Sequence, residues 1–247
     1  MAYEQEGIKP YAGNQQKGEQ MEAMFDRIAP AYDLLNHLMS WGIDKGWRRK
    51  AIDALGRHKP QRILDIATGT GDFALLAASR IQPRQIIGAD LSEGMMQVGR
   101  QKTEAAGLAH TISFQREDCM RLSFPDQSFD AVTVAYGVRN YEDLDAGLRE
   151  MRRVLKPGGH LLILELAAPP RFPMRQCFWL YAHAVMPLLG WIFSRDRRAY
   201  RYLTASMEAF PQGERMEQIL HEAGFARVEW KRFTFGICTM YLASPTA

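Results

Sequence analysis

The chain has 247 residues, with 31 basic and 28 acidic side chains, a formal net charge of +3, and 47% hydrophobic against 24% charged residues. That balance excludes an intrinsically disordered chain, and so small a basic surplus excludes a dedicated nucleic-acid binder. Three widely separated cysteines, Cys119, Cys177 and Cys238, form no C-x-x-C, and no H-E-x-x-H occurs. A disulfide framework and a metal site are therefore not expected, and a reducing cytoplasm fits.

Residues 1–20 are rich in Gln, Glu, Gly and Lys and lack an apolar core, so they read as a mobile arm rather than a signal peptide. The remainder, 21–247, reads as one domain that opens with a helical cap over 21–58. Between residues 61 and 166 short apolar runs alternate with helical stretches, the rhythm of an α/β fold. Arg62 to Ala67 reads as a buried first strand, followed by the turn Thr68-Gly69-Thr70-Gly71-Asp72 and a helix from Phe73. Further strands are expected over Gln85 to Asp90, Thr111 to Gln115 and Phe129 to Ala135. Leu144, Leu148, Met151 and Leu155 recur at helical spacing up to a Lys156-Pro157-Gly158-Gly159 turn, and His160 to Leu166 is a fifth parallel strand. Residues 170–206 then interrupt the pattern as an inserted apolar lid. A helix from Glu214 to Ala223 leads to a closing antiparallel pair, Arg227 to Phe233 and Cys238 to Ala243.

Gly69-Thr70-Gly71-Asp72-Phe73-Ala74 satisfies G-x-G-x-x-[GA], with Asp90 placed for a ribose 19 residues after Gly71. A dinucleotide is one reading, but its pyrophosphate would meet the Asp72 carboxylate at the helix N-terminus. S-adenosylmethionine, with a sulfonium, an ammonium and no phosphate, suits the turn better. Asp90 then accepts from its ribose diol, and Asp118, where the chain leaves the third strand, from its adenine amine. Cys119 is placed to offer a backbone N–H to the adenine.

Leu64-Asp65-Ile66-Ala67-Thr68-Gly69-Thr70-Gly71 resembles the class I S-adenosylmethionine methyltransferases. More narrowly, the chain resembles the quinone-ring C-methyltransferases of menaquinone and ubiquinone synthesis. That likeness rests on Tyr32-Asp33-Leu34-Leu35-Asn36 with Ser40 and Trp47, on Gly137-Val138-Arg139-Asn140, on Arg153-Val154-Leu155-Lys156-Pro157-Gly158-Gly159 with Glu165, and on Tyr200-Arg201-Tyr202-Leu203. Leu35 replaces the usual Met, Ala167 the usual Ser or Asn, and Asp44 the His of the first signature, so no role of that His transfers here. The resemblance implies a Rossmann-like, mostly parallel seven-stranded sheet with helices on both faces and a reversed last strand. It implies cofactor contacts from Thr70, Asp90 and the Asp118-Cys119 pair, beside the Gly69 and Gly71 turn, with Tyr32 closing over the methionine end and Ala135 a further cofactor-side position. Ala135, where some ubiquinone-pathway members have Ser, points to reduced demethylmenaquinone as acceptor. A 2-methoxy-6-polyprenyl-benzoquinol acceptor and a non-catalytic S-adenosylmethionine-binding role stay open.

Carbon methylation needs the acceptor phenol in phenolate form. Arg139, just past the fourth strand, is the candidate oxyanion holder, and Asn140 orients the ring. Arginine is no base, which leaves Asp33, His37 and His183 as unseparated proton acceptors. The 17 residues from Cys177 to Phe193 contain His183 and Pro187 and are too short to span a bilayer, which takes about 20 apolar residues. They read either as an ordinary core helix or as a lid meeting the inner face of the membrane peripherally, where a polyprenylated quinol resides. Oligomerisation stays open.

Overall fold

Seven strands form one sheet in the order β3-β2-β1-β4-β5-β7-β6 in a computed structural model that describes residues 3–185 and 197–245. They are β1 Arg62–Ile66, β2 Gln85–Asp90, β3 Ile112–Arg116, β4 Phe129–Ala135, β5 Leu155–Leu166, β6 Phe225–Phe233 and β7 Cys238–Pro245. The first five pair in parallel, and β7 runs antiparallel to both β5 and β6, so the expected reversed strand is present. β1 stops at Ile66 because Ala67 adopts a left-handed φ of 51°, which carries the chain out of the sheet into the glycine turn. The expected turn at residues 156–159 lies inside β5. The register steps from Phe129↔Leu155 to Ala131↔His160, so the extra residues are absorbed as an irregularity within the paired strand.

Side-chain alternation along the strands builds two cores. Leu64, Ile66, Val132, Val134, Leu161 and Ile163 face α6 (Leu144–Val154) and the helix Glu214–Glu222. Ile63, Ala131, Leu162 and Leu164 face α3 (Ile43–Gly56) and α4 (Asp72–Ile81). Strands covered on both sides read as continuous apolar runs, which is why the sequence pattern located them.

The N-terminal segment departs from expectation, since residues 3–20 are docked rather than extended as a free arm. Tyr3 donates its hydroxyl to Asp145 at 2.8 Å, and Glu6 accepts from the Leu144 amide at 2.8 Å, capping α6 from a distance. Lys17 is wholly buried and donates to the carbonyls of Gln5 at 2.6 Å and Tyr141 at 3.2 Å. Two of the polar side chains that made the segment look solvated, Glu6 and Lys17, are thus spent on backbone groups of the body. The cap accordingly begins at Lys17, with α1 Lys17–Ile28, then α2 Tyr32–Met39 and α3.

Of the lid, α7 (Met174–Leu180), a π-turn over Tyr181–Val185 and the helix Arg197–Ala209 are described; Pro187, Trp191 and Arg195 lie outside the described residues. Met21 and Met24 of α1 pack on Ala199 and Tyr202, joining cap to lid. Phe178, Ala182 and Met207 form a second small cluster, with Met39 and Ile237 against it.

Gly137 is the tightest joint at the end of β4, since a Cβ there would stand 2.6 Å from Ala67 Cβ and 3.0 Å from Val134 Cγ2. Gly137→Ala is expected to cost about 1–3 kcal/mol by overpacking, read as a lower urea midpoint. An unchanged midpoint would show that the strand ends can separate freely.

Candidate active site

The C-terminal ends of β1, β2 and β4 enclose a small cavity. Gly69, with φ 55°, turns its amide to Asp90 Oδ2 at 2.8 Å, while Ser92 N donates to Oδ1 at 2.9 Å. Both oxygens of Asp90 are thereby fixed with lone pairs left for a ligand. Burial pushes the Asp90 carboxyl up, against the lowering effect of those amides. Asp118, Cys119 and Ala135 complete the wall, with Tyr32 from α2. The Cys119 thiol is pushed up to about 12, by burial first and by Asp118 second, so it stays protonated and inert.

A second cavity of about 330 Å³ lies next to the first and is lined mainly by apolar and aromatic side chains of the cap, the lid and the β7 side of the sheet. Phe25, Tyr32, Tyr136 and Asn140 belong to both walls. The two chambers are therefore separated by single side chains.

At the far side of that partition Arg139 is 5% exposed and Glu165 fully buried. Arg139 Nη1 donates to Glu165 Oε1 at 2.7 Å and to the Tyr136 carbonyl, and its backbone amide donates to Oε2 at 3.2 Å. Its Nε has no hydrogen-bond partner among the described residues. Glu165 and the neighbouring tyrosines outweigh burial and hold the guanidinium above its usual range. Tyr202 donates to Asn140 Oδ1 at 3.0 Å, which fixes the amide between the chambers.

Comparison with known proteins fits this geometry. The sequence profile of the ubiE/COQ5 methyltransferase family matches residues 13–244. The chain belongs to that family. It is 59% identical over 244 residues to the demethylmenaquinone methyltransferase of Bacteroides fragilis, covering 99% of this chain and all of that one. To the protein of the same name from Porphyromonas gingivalis it is 44% identical, over 96% of this chain and 97% of that one. An S-adenosylmethionine-dependent methyltransferase of Thermotoga maritima shares the fold at a TM-score of 0.64 and 17% identity, over 91% of this chain and 99% of that one. The protein is an S-adenosylmethionine-dependent methyltransferase.

The smaller cavity suits that cofactor. Glu22, Asp90, Glu117, Asp118 and Glu142 line it, with no lysine, arginine or histidine among its described lining residues. An anionic chamber attracts a sulfonium and an ammonium and repels a pyrophosphate, which disposes of the dinucleotide reading.

Of the expected site residues in this methyltransferase, Gly69, Asp90, Asp118, Cys119, Ala135, Tyr32 and Asn140 border the smaller chamber, and Arg139 borders the larger one. Thr70 and Gly71 do not. Thr70 turns its hydroxyl to Asp33 Oδ1 at 2.5 Å, and Gly71 lies behind the turn at φ 77°, where a Cβ would meet the Phe114 ring at 3.0 Å. Asp33 also accepts from Lys102 Nζ at 2.8 Å, and Lys102 bonds Asp72 as well. Burial would raise Asp72, but Arg48, Lys102 and His37 outweigh it and hold its carboxyl below the usual range.

Sequence reasoning missed Tyr136, a wall of both chambers held at φ 61° with the Arg48 guanidinium 4.8 Å from its ring centroid. An aromatic residue wedged between a strand end and Gly137 was the available signal.

Asp65, behind the glycine turn, accepts from Thr133 at 2.5 Å and Thr68 at 2.6 Å, yet burial pushes it up to about 6. A carboxyl that holds its proton more tightly folded than unfolded adds stability below about pH 4, and that stability is lost as pH rises through about 6. Asp65→Asn does not titrate. Unfolding free energies from urea titrations at pH 4 to 7 should therefore shift in the variant's favour by about 2 kcal/mol across the range. Parallel curves would refute a raised Asp65.

Proposed function

We propose that this methyltransferase adds a methyl group to the ring carbon of reduced demethylmenaquinone, yielding menaquinol. The observation that carries the reading is the larger chamber: apolar, sharing single-residue walls with the cofactor chamber, and holding one buried arginine. The names of the relatives from Bacteroides and Porphyromonas agree with it.

When bound, S-adenosylmethionine supplies an electrophilic methyl carbon whose bond to sulfur breaks, electrons to sulfur, as the ring carbon bonds to it. The chain must hold the acceptor ring and favour its phenolate. A free phenol of pKa about 10 is only about a thousandth ionised at neutral pH. One charge-assisted hydrogen bond from Arg139, about 1.5–3 kcal/mol, lowers that pKa by about one to two units. Asn140 orients the ring from the partition, and the aromatic walls exclude water. Asp90 holds the ribose diol, Asp118 and the Cys119 backbone hold the adenine, and Tyr32 closes the methionine end. The remaining acceleration comes from placing ring carbon and methyl about 3–3.5 Å apart.

The prenyl tail is assigned to the mouth of the same chamber. Trp41, 82% exposed, and Ile43, 47% exposed, line it, while Phe172 at 80% and Phe235 at 73% flank the lining residues Met174, Thr234 and Ile237. No helix among the described residues is long and apolar enough to cross a membrane. Exposed aromatics around a lipid-binding mouth fit peripheral contact with the inner face of a bilayer, from which the tail enters.

Mass spectrometry of a reaction with equal amounts of chemically reduced demethylmenaquinone and the 2-methoxy-6-polyprenyl-benzoquinol, in detergent, tests the acceptor. Methyl gain on the naphthoquinol is expected, and gain on the benzoquinol alone would overturn the reading. In the same assay Arg139→Lys, which keeps a cation against Glu165 but loses the planar fork, should lose at least about tenfold in turnover. Wild-type turnover would remove Arg139 from the chemistry. For the membrane contact, flotation with anionic vesicles should carry the protein upward, and Trp41→Ser with Phe172→Ser should abolish this. A wild-type protein that stays wholly in the bottom fraction refutes the contact.

A further inference from the structure

We propose that Asp44 takes the hydroxyl proton of the acceptor and passes it through His37 to solvent. The inference rests on the acceptor reading above and names the proton route which that reading leaves open.

Asp44 is 3% exposed and lies in the wall of the larger chamber, as do Asn36 and Ser40 from the same turn of the cap. Its two oxygens are differently engaged. Oδ1 accepts from Ser40 Oγ at 2.6 Å, and Oδ2 lies 2.9 Å from His37 Nδ1. Arg48 Nε stands 3.5 Å from Oδ2 as a counter-charge from the next turn of α3. The imidazole is not part of the wall. It sits behind Asp44, 28% exposed, with Nε2 3.8 Å from Asp72 Oδ2, and Asp72 is itself held by Lys102. A line of titratable groups thus leads from the acceptor chamber to the surface: carboxylate, imidazole, carboxylate.

The other groups facing the chamber do not serve. Arg139 has no acceptor. Burial pushes the phenols of Tyr32, Tyr136, Tyr181 and Tyr202 up, so each keeps its own proton. Cys177 is exposed. Asp33 is taken up by Thr70 and Lys102 and lines neither chamber. His183 is 41% exposed, turned to the Trp179 carbonyl and to Glu208, and lines neither chamber as well. Asp44 is the one carboxylate among the described lining residues of the larger cavity.

The proton count closes. The acceptor O–H proton passes to Asp44, directly or through Ser40 Oγ, and the freed electron pair makes the ring carbon nucleophilic. Once that carbon carries the methyl group, its displaced hydrogen returns to the oxygen as aromaticity is restored. One proton leaves per turnover. Asp44 hands it to His37 Nδ1, His37 releases its Nε2 proton to water, and Asp72 stabilises the transient imidazolium. The carboxylate at position 44, which departs from the family signature, is thereby accounted for together with a histidine seven residues earlier.

The test is the pH profile of kcat for the full-length protein on detergent-solubilised demethylmenaquinol, from pH 6 to 9. Asp44→Asn should lower kcat at least about 100-fold, leave cofactor affinity by calorimetry within threefold, and leave a residual rate that climbs with pH as the free phenol ionises. His37→Gln should lose about tenfold and flatten the acid limb that this route gives the wild type. Asp44→Asn with kcat within threefold of wild type and an unchanged profile overturns the proposal. If Asp44→Asn does not fold, His37→Gln decides alone, and an intact acid limb with near-wild-type kcat overturns it. A wild-type protein that methylates neither quinol overturns the acceptor reading and this inference with it, whereas wild-type turnover with unaffected variants overturns only the inference.

Discussion

The buried pair between Arg139 and Glu165 is the constraint on which the site hangs. Glu165, next to last in β5, has no exposure and accepts three N–H groups: Arg139 Nη1, the Arg139 amide, and the Leu166 amide at 2.8 Å. Arg139 reaches back to the Tyr136 carbonyl, so the turn Val138–Asn140 is clamped between the ends of β4 and β5. Removing two charges from water costs several kcal/mol per ion, and the attraction recovers this only with good geometry. The pair is therefore poor evidence for stability and good evidence for placement. It also turns one edge of the guanidinium toward Glu165, so the arginine stands in the chamber wall as a paired and not as an isolated cation.

Placement matters because the two chambers have opposite chemistry on either side of a thin partition. The smaller chamber is anionic, and the larger one is apolar with one cation and one carboxylate among its described lining residues. Two of the partition residues, Phe25 and Tyr32, come from the cap, and Tyr136 and Asn140 from the β4 end. The cap is held in register by the sheet's own helices. Asp26 of α1 accepts from Ser92 Oγ at 2.5 Å and from the Gly94 amide at 3.0 Å, at the start of α5 (Glu93–Ala105). Glu22 pairs with Arg116 at 2.9 Å. Each bond ties a cap residue to a segment that also shapes the cofactor chamber, so the partition is a joint product of cap and sheet.

The middle of the sheet was legible because β1, β2, β4 and β5 are mostly buried and read as largely apolar runs, whereas the edge strands β3 and β6 are more exposed and polar. Asp90 and Asp118 were legible for a related reason: position after a strand end fixes where a residue lies. Position does not fix direction. Thr70 stood where a cofactor contact was expected, but its hydroxyl turns to Asp33, a cap residue 37 positions earlier. The Lys102 bridge to Asp33 and Asp72 joins α5, α2 and α4 and leaves no local pattern. Residues 3–20 failed for the converse reason, since polar composition looks solvated whether its side chains meet water or cap a distant helix, as Glu6 does. Asp44 was visible only as a departure from a family pattern, and its meaning depends on His37 across the turn between α2 and α3.

The tyrosines around the acceptor chamber show how much such a site must do. Tyr32 and Tyr202 both lie within the field of Arg139, which favours their phenolates, and yet desolvation wins and each stays protonated. The same desolvation acts on any acceptor phenol in that chamber. A cation nearby is thus insufficient to ionise a phenol there. What distinguishes an acceptor from the enzyme's own tyrosines must be direct contact, with a donor edge aimed at the oxygen and a base within reach of its proton. Selectivity between two phenols of similar intrinsic acidity then reduces to geometry, with Arg139 fixed by Glu165 on one side and Asp44 fixed by Ser40 and His37 on the other.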